Sequence, residues 1–177
     1  ENVKKVGEIA IDYKDLIIGF DIAGPEMNYN PSKFNKTFKK VKDAGVNITI
    51  HAGEGDGVES IQDALNNGAK RIGHGVRIIE DINLDTNEVG KTASYIVENH
   101  IPLEICISSN IHTNMYENYE KHPIRDLISF GFNISINTDN RLMSNTNILN
   151  EINICENIGI MKAEDLLIQS ASYSFLN

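Results

Sequence analysis

Short apolar segments alternate with amphipathic segments along most of the chain, and this alternation limits the possible folds more than any other feature. The apolar segments are rich in isoleucine, valine and leucine, which predicts buried strands. The segments between them carry apolar residues at helical spacing. Strands that alternate with helices predict consecutive β/α units around a parallel sheet. The predicted strands are residues 16–24, 46–53, 69–78, 101–110 and 132–139, with helices at 31–45, 58–68, 91–100 and 124–131 and a helical tail through 177.

Two architectures are compatible with this order: a doubly wound open sheet, or part of a β/α barrel. In both, functional side chains gather at the carboxyl ends of the strands. Five polar residues lie at or just after the predicted strand ends: Asp21, His51, His74, Ser108 and Asp139. The sequence therefore predicts a site at that edge of the sheet.

The glycine-rich stretch HAGEGDG, residues 51–57, does not have the G-x-G-x-x-G spacing of a dinucleotide-binding loop. Its internal Glu and Asp would also repel a pyrophosphate. Dinucleotide binding is therefore not expected.

The composition restricts the class of partner and the compartment. A chain of 177 residues is long enough for one core, and its length favours a single domain. The formal net charge of −9 argues against a nucleic-acid partner, and the basic residues at 33–42 have the spacing of a solvated helix face.

No apolar run approaches the roughly 18 residues that a membrane span needs. Cys106 and Cys155 lie far apart in apolar surroundings, which predicts free, buried thiols and a reducing, cytoplasmic compartment.

The strand-end residues suggest a hydrolytic metal site. Zinc prefers histidine nitrogen and carboxylate oxygen in such sites, and a nearby glutamate can carry protons. His51, Glu54 and Asp139 also have structural explanations, as a strand-end histidine, a helix-capping carboxylate and a turn residue. His74 lies between two glycines, which would let a substrate approach closely. The occurrence of all four residues at the same edge of the sheet favours a catalytic role over the structural explanations. The remaining histidines, His100, His112 and His122, are predicted to be structural or solvent-exposed.

Five blocks, in their order and separation, resemble the adenosine deaminase family: DIAGPE at 21–26, HAGEGDG at 51–57, RIGHGVRI at 71–78, PLEICISSN at 102–110 and SINTD at 135–139. The resemblance implies a zinc-containing (β/α)8 TIM barrel of the metal-dependent hydrolase type. Residues 1–177 would form one partial barrel with about the last five β/α units, strands four to eight, and the C-terminal helices.

The implied activity is hydrolytic deamination of adenosine, or a close analogue, to inosine and ammonia, a reaction of purine metabolism and nucleotide salvage. The expected partner is a small-molecule purine nucleoside. The resemblance leaves two alternatives: a deaminase of 5′-methylthioadenosine, AMP or adenine, and a non-catalytic relative that binds a purine.

The resemblance also implies a role for each site residue. His51 and Asp139 would bind zinc, and Glu54 would protonate purine N1. His74 would orient and polarise the water that zinc activates. Glu104 lies where the family has a carboxylate behind the catalytic histidine, so we expect it to contact His74.

For the substrate, Gly24 would offer its backbone N–H to purine N3, and Asn140 would contact N7. The family usually has Asp-Pro where this chain has Asn140-Arg141. The amide keeps the size of the aspartate and can donate to N7. The family's other zinc ligands come from a His-x-His on the first barrel strand, a motif that this sequence lacks. Two further histidine ligands are therefore expected upstream of this segment.

Overall fold

The computed structural model describes residues 2–160 and 162–176. The strands within them are β1 Phe20–Ile22, β2 Ile48–Ala52, β3 Arg71–His74, β4 Ile82–Asn83, β5 Glu88–Val89, β6 Leu103–Ile105 and β7 Ile134–Ile136. A five-stranded sheet has the order β1-β2-β3-β6-β7, and β4 and β5 form an antiparallel hairpin. Every pair in the larger sheet is parallel. The sheet order follows the chain order, so the predicted succession of β/α units is confirmed.

Helices connect the strands of the parallel sheet. The α-helices of the described chain are α1 Asn2–Asp12, α2 Asn35–Asp43, α3 Val58–Asn66, α4 Lys91–Glu98, α5 Ile107–His112, α6 Ile124–Ser129, α7 Ile148–Asn157 and α8 Ala163–Ser172. The sequence did not predict α1, which packs against α2. A Cβ on Gly7 of α1 would lie 2.4 Å from Cγ2 of Thr37, so the glycine permits this close approach.

The hydrophobic core lies between one face of the sheet and the helices. In β2, Ile48, Ile50 and Ala52 are buried, whereas Thr49 and His51 are half-buried. This alternation follows from the two-residue period of a strand. The other strands add aliphatic side chains to the same core, and the helices cover them: Ile72, Leu103, Ile105, Ile134 and Ile136 meet Phe38, Ile61, Ile96, Ile124 and Leu127.

The opposite face of the sheet is polar. Arg71 Nε donates to Oε1 of Glu104 over 2.6 Å, and the Thr49 hydroxyl donates to Oε2 over 3.1 Å. The Arg71 guanidinium also lies 4.5 Å from the ring centroid of Phe175 and donates to the Tyr173 carbonyl oxygen. This ion pair is stabilised by several further contacts, and it anchors the C-terminal residues to the sheet.

The predicted strands are longer than the observed ones, and the largest difference follows β6. Residues 107–112 form α5, so Ser108 lies in a helix and not at the end of a strand. Its backbone N–H donates over 3.1 Å to Oε2 of Glu151, a fully buried carboxylate on α7. A carboxylate at the start of a helix stabilises its unpaired N–H groups.

Both cysteines lie in the described part of the chain, and both are free and buried, as predicted. Across residues 2–160 and 162–176, no helix has the length and apolar character needed to cross a bilayer.

Two leucines provide a test of where the core lies. Leu103 of β6 is 0% exposed, whereas Leu84, between β4 and β5, is 49% exposed. Because Leu103→Ala leaves a cavity in the core, we expect it to lower the free energy of unfolding by about 2–5 kcal/mol. Leu84→Ala should change it by about 0.5 kcal/mol or less. Urea titration measures both values, and similar losses for the two variants would contradict this assignment of the core.

Candidate active site

His51 lies at the end of β2 and is oriented by a carboxylate of β1. Its Nδ1 is 3.1 Å from Oδ2 of Asp21. Burial lowers the pKa of His51, but the hydrogen bond to Asp21 and the nearby carboxylates outweigh it, so the pKa is raised overall. Because Nδ1 is engaged by Asp21, Nε2 is the nitrogen left to bind a ligand.

His74 ends β3 and lies beside His51. Its backbone has a φ of 58°, in the left-handed region that a histidine adopts infrequently. The two imidazole rings meet edge to face, with centroids 5.2 Å apart. Nε2 of His74 is 3.6 Å from Oε2 of Glu54, and Nδ1 is 3.1 Å from Nδ2 of Asn110. Burial lowers the pKa of His74, and this effect outweighs the opposing effect of the Glu54 carboxylate. The environment of His74 therefore favours the neutral imidazole.

Glu26 fixes the backbone of the glycine-rich stretch. Its carboxylate accepts four consecutive backbone N–H groups, from Gly53, Glu54, Gly55 and Asp56, over 2.5–3.1 Å. A carboxylate with several charge-assisted hydrogen bonds holds such a loop strongly. The backbone of Glu54 is thereby held in place.

Gly53 is required by its surroundings. Its φ is 78°, and a Cβ there would lie 2.4 Å from Cδ1 of Ile61 and 3.3 Å from Cα of Gly75. A side chain at this position would therefore move Glu54 relative to His74.

Asp139 follows β7 and is held by a serine of α5. The Ser109 hydroxyl donates to Oδ2 of Asp139 over 2.7 Å, which leaves Oδ1 for another ligand. Oδ1 of the next residue, Asn140, accepts the backbone N–H groups of Leu142 and Met143 and so forms a local turn. The Nδ2 group of Asn140 is then the part of the amide that can donate outward.

Gly24 lies in a cavity next to His51. The cavity has a volume of about 220 Å³ and combines apolar walls with Glu26 and His51; it is lined by Val3, Ile22, Ala23, Gly24, Pro25, Glu26, Tyr29, Pro31, Phe34 and His51. Gly24 has a φ of 137°, and a Cβ there would meet no atom within 4 Å. Glycine is therefore favoured here by the backbone conformation, and the space next to its peptide is open.

Most of the residues expected at the site converge, whereas Glu104 does not. The converging residues lie at the carboxyl edge of the sheet: His51, Glu54 and His74, with Gly24 beside His51 and Asp139 anchored to α5. Glu104 differs from the prediction. Its carboxylate bonds to Arg71 and Thr49 on the polar face, and Asn110 takes the place next to Nδ1 of His74.

The donor atoms match zinc in kind but are few. Among residues 2–160 and 162–176 no group of three or more His, Cys, Asp or Glu side chains could hold a metal ion. His51 and Asp139 each have one donor atom anchored and one remaining, which is typical of metal ligands with supporting hydrogen bonds. These two anchored side chains are fewer than the three or more protein ligands that a zinc site uses.

Comparison with known proteins identifies the family. The model of the family described as Adenosine deaminase matches residues 1–177. The chain belongs to the adenosine deaminase family.

Curated relatives agree with this assignment. The chain is 45% identical over 152 residues to adenosine deaminase 1 of Streptomyces coelicolor, covering 83% of this chain and 38% of that protein. It is 40% identical over 150 residues to the adenosine deaminase of Mycobacterium tuberculosis, covering 82% of this chain and 41% of that protein. The chain therefore spans less than half the length of these relatives.

Solved structures establish the fold. An adenine deaminase from Arthrobacter aurescens superposes with a TM-score of 0.85 at 22% identity, over 99% of this chain and 53% of that one. An amidohydrolase from Burkhoderia ambifaria, solved with bound Zn, gives 0.82 at 19% identity, over 99% and 49%. These neighbours are TIM-barrel proteins, so the predicted barrel class is confirmed and the open-sheet alternative is not. The numbering of these strands as the fourth to eighth of the barrel stays a prediction.

Sequence reasoning did not predict the contacts of three residues that support the site of this adenosine deaminase relative. Glu26 and Asn110 lie inside the quoted blocks DIAGPE and PLEICISSN, but nothing in their spacing indicated their partners. His122 was expected to be structural or solvent-exposed, and it is buried against Asn110. Its hydrogen bonds to Asn110 and to the backbone N–H of Ile124 leave no pattern that a single sequence reveals.

The clamp formed by Glu26 can be tested by hydrogen exchange. Glu26→Ala removes the acceptor for four backbone N–H groups, so we expect the amides of residues 53–56 to exchange at least about tenfold faster. Glu26→Gln keeps one acceptor oxygen and should give a smaller increase. Glu59→Ala, at an exposed position of α3, is the matched control and should leave these amides unchanged. Equal exchange in wild type and Glu26→Ala would show that the loop does not depend on this carboxylate.

Proposed function

We propose that the protein to which this chain belongs hydrolyses the 6-amino group of adenosine, or of a close analogue, to give inosine and ammonia. The observation that carries the proposal is the convergence of His51, His74 and Glu54 at the carboxyl edge of the sheet. It occurs in a chain that is 45% identical to a named adenosine deaminase over 152 residues. A reaction of this kind would serve purine salvage.

Glu54 is proposed to be the acid that protonates purine N1. Protonation there lets the ring accept negative charge when C6 is attacked. Glu26 supports this role because it fixes the peptide of Glu54 through the loop amides. Thr113 donates to Oε1 of Glu54 over 3.3 Å, which limits the rotation of the carboxylate.

Substrate binding is proposed to use two further groups. The backbone N–H of Gly24 would donate to purine N3, supported by its place in the cavity beside His51. Nδ2 of Asn140 would donate to N7, supported by the engagement of its Oδ1 in the local turn. An apolar cavity with a few polar groups suits a flat purine base.

His51 and Asp139 are proposed to hold zinc through Nε2 and Oδ1, together with histidines from outside this segment. Zinc, when bound, acts as a Lewis acid that activates water for hydrolysis. His74 would orient that water from its position between His51 and Glu54. The predicted reducing, cytoplasmic compartment agrees with the two free thiols and stays a prediction.

The role of Glu54 is tested in the whole protein with adenosine as substrate. Because an amide cannot donate the proton that purine N1 requires, Glu54→Gln should lower kcat by about 10²–10⁴-fold. Ultraviolet absorbance follows the loss of adenosine, and Glu59→Gln is the matched control with wild-type activity expected. If Glu54→Gln keeps most of its activity, Glu54 is not the acid. Parallel assays with AMP, adenine and 5′-methylthioadenosine decide among the alternative substrates.

The metal proposal is tested by elemental analysis of the whole protein. We expect about one zinc per chain in wild type and loss of most of it in His51→Ala, because a ligand is removed from a small donor set. His112→Ala, at an exposed position at the end of α5, should keep its zinc. A wild-type protein without zinc would instead support a non-catalytic relative that binds a purine.

A further inference from the structure

A buried chain of hydrogen bonds reaches the site from the interior of the protein. It starts at His122, which is 2% exposed and follows the 3-10 helix Tyr119–Lys121. Nδ1 of His122 accepts the backbone N–H of Ile124 over 3.2 Å. A ring nitrogen that accepts a hydrogen bond carries no proton, so a neutral His122 has its proton on Nε2. Burial, with a further contribution from His74, lowers the pKa of His122 to about 3, so the ring is neutral at pH 7.

The proton on Nε2 of His122 determines the orientation of Asn110. Nε2 lies 3.2 Å from Oδ1 of Asn110, which accepts its hydrogen. The Nδ2 group of the same fully buried amide then faces Nδ1 of His74 at 3.1 Å and Oε1 of Glu54 at 3.4 Å. The reversed amide would place two donors together at His122 and two acceptors together at Glu54, so the network permits one orientation.

The amide in turn determines which nitrogen of His74 carries the proton. An NH2 group can only donate, so Nδ1 of His74 must present a lone pair. An imidazole with a lone pair on Nδ1 carries its proton on Nε2, the nitrogen that lies 3.6 Å from Oε2 of Glu54. The backbone N–H of Ile124 thus sets the protonation pattern of a histidine at the site through two intervening side chains.

We propose that His122 and Asn110 are positioning residues that hold His74 in the tautomer with its proton on Nε2. In this tautomer His74 presents a hydrogen-bond donor to the substrate side of the site and keeps a lone pair towards the interior. The consequence for catalysis rests on the proposed function, whereas the tautomer itself does not.

The first test is a direct observation of the tautomer in the whole protein, with ¹⁵N-labelled histidine. Long-range ¹H–¹⁵N spectra distinguish a protonated from an unprotonated ring nitrogen, and the spectrum of His74→Gln assigns the His74 signals. We expect both His122 and His74 of the wild-type protein to carry the proton on Nε2. A proton on Nδ1 of His74 overturns the proposal. Because this measurement needs no turnover, it is independent of whether the protein deaminates adenosine.

The second test uses variants that change the direction of the hydrogen bonds. His122→Phe removes the donor to Asn110, so His74 should become a mixture of tautomers and kcat should fall by roughly tenfold with little change in KM. Asn110→Asp replaces the donor to His74 with an acceptor, so the proton should move to Nδ1. His122→Gln supplies an amide donor and should restore both the wild-type tautomer and kcat.

Tyr116→Phe is the matched control for packing, because the Tyr116 ring packs against His122 with centroids 5.1 Å apart. It should leave the His74 tautomer and kcat unchanged. If His122→Phe and Asn110→Asp lower the melting temperature but keep the wild-type tautomer of His74, the network serves stability alone and the proposal is wrong.

Discussion

The register between β2 and β3 is the constraint on which the site depends. It places His51 opposite Gly73 and brings Ala52 level with His74. A Cβ on Gly73 would lie 2.8 Å from Nδ1 of His51, so the absence of a side chain there makes room for the imidazole. The same register keeps Ile50 and Ile72 on the helix side of the sheet. A shift of the register by one residue would bury His51 in the core and expose the isoleucines. The burial of the core therefore favours the same register that the site requires.

The sequence was sufficient for the architecture because its signal is local. Ile48 and Ile50 alternate with Thr49 and His51, and such a period of two identifies a strand within a few residues. The rule that functional residues lie at the carboxyl ends of parallel strands then places His51, His74 and Asp139 in one region. The succession of units followed from helices that lie between the strands. The strand ends were less well predicted, since apolar residues continue past β6 into α5.

The contacts around the site that the sequence did not reveal mostly join residues distant in sequence. Ser108 lies in a helix because its N–H meets Glu151, which is 43 residues further along the chain. Glu104 pairs with Arg71 across neighbouring strands, and composition alone could not favour that partner over His74. The partners of Glu26 are four backbone groups, which leave no trace in side-chain identities. A resemblance in motifs assigned roles to residues without indicating what holds them in place.

The backbones of His74 and Asp139 have φ values of 58° and 52°. Strain of this kind occurs where the surrounding structure compensates for it, here through the Asn110 and Ser109 hydrogen bonds. Substitution at either position therefore changes two quantities together, the chemistry of the side chain and the conformational preference of the backbone. Glycine would relax the backbone while removing the functional group, and a β-branched residue would strain it further. Asparagine tolerates this conformation better than most residues, so Asp139→Asn separates the loss of charge from the change in strain more cleanly than alanine does.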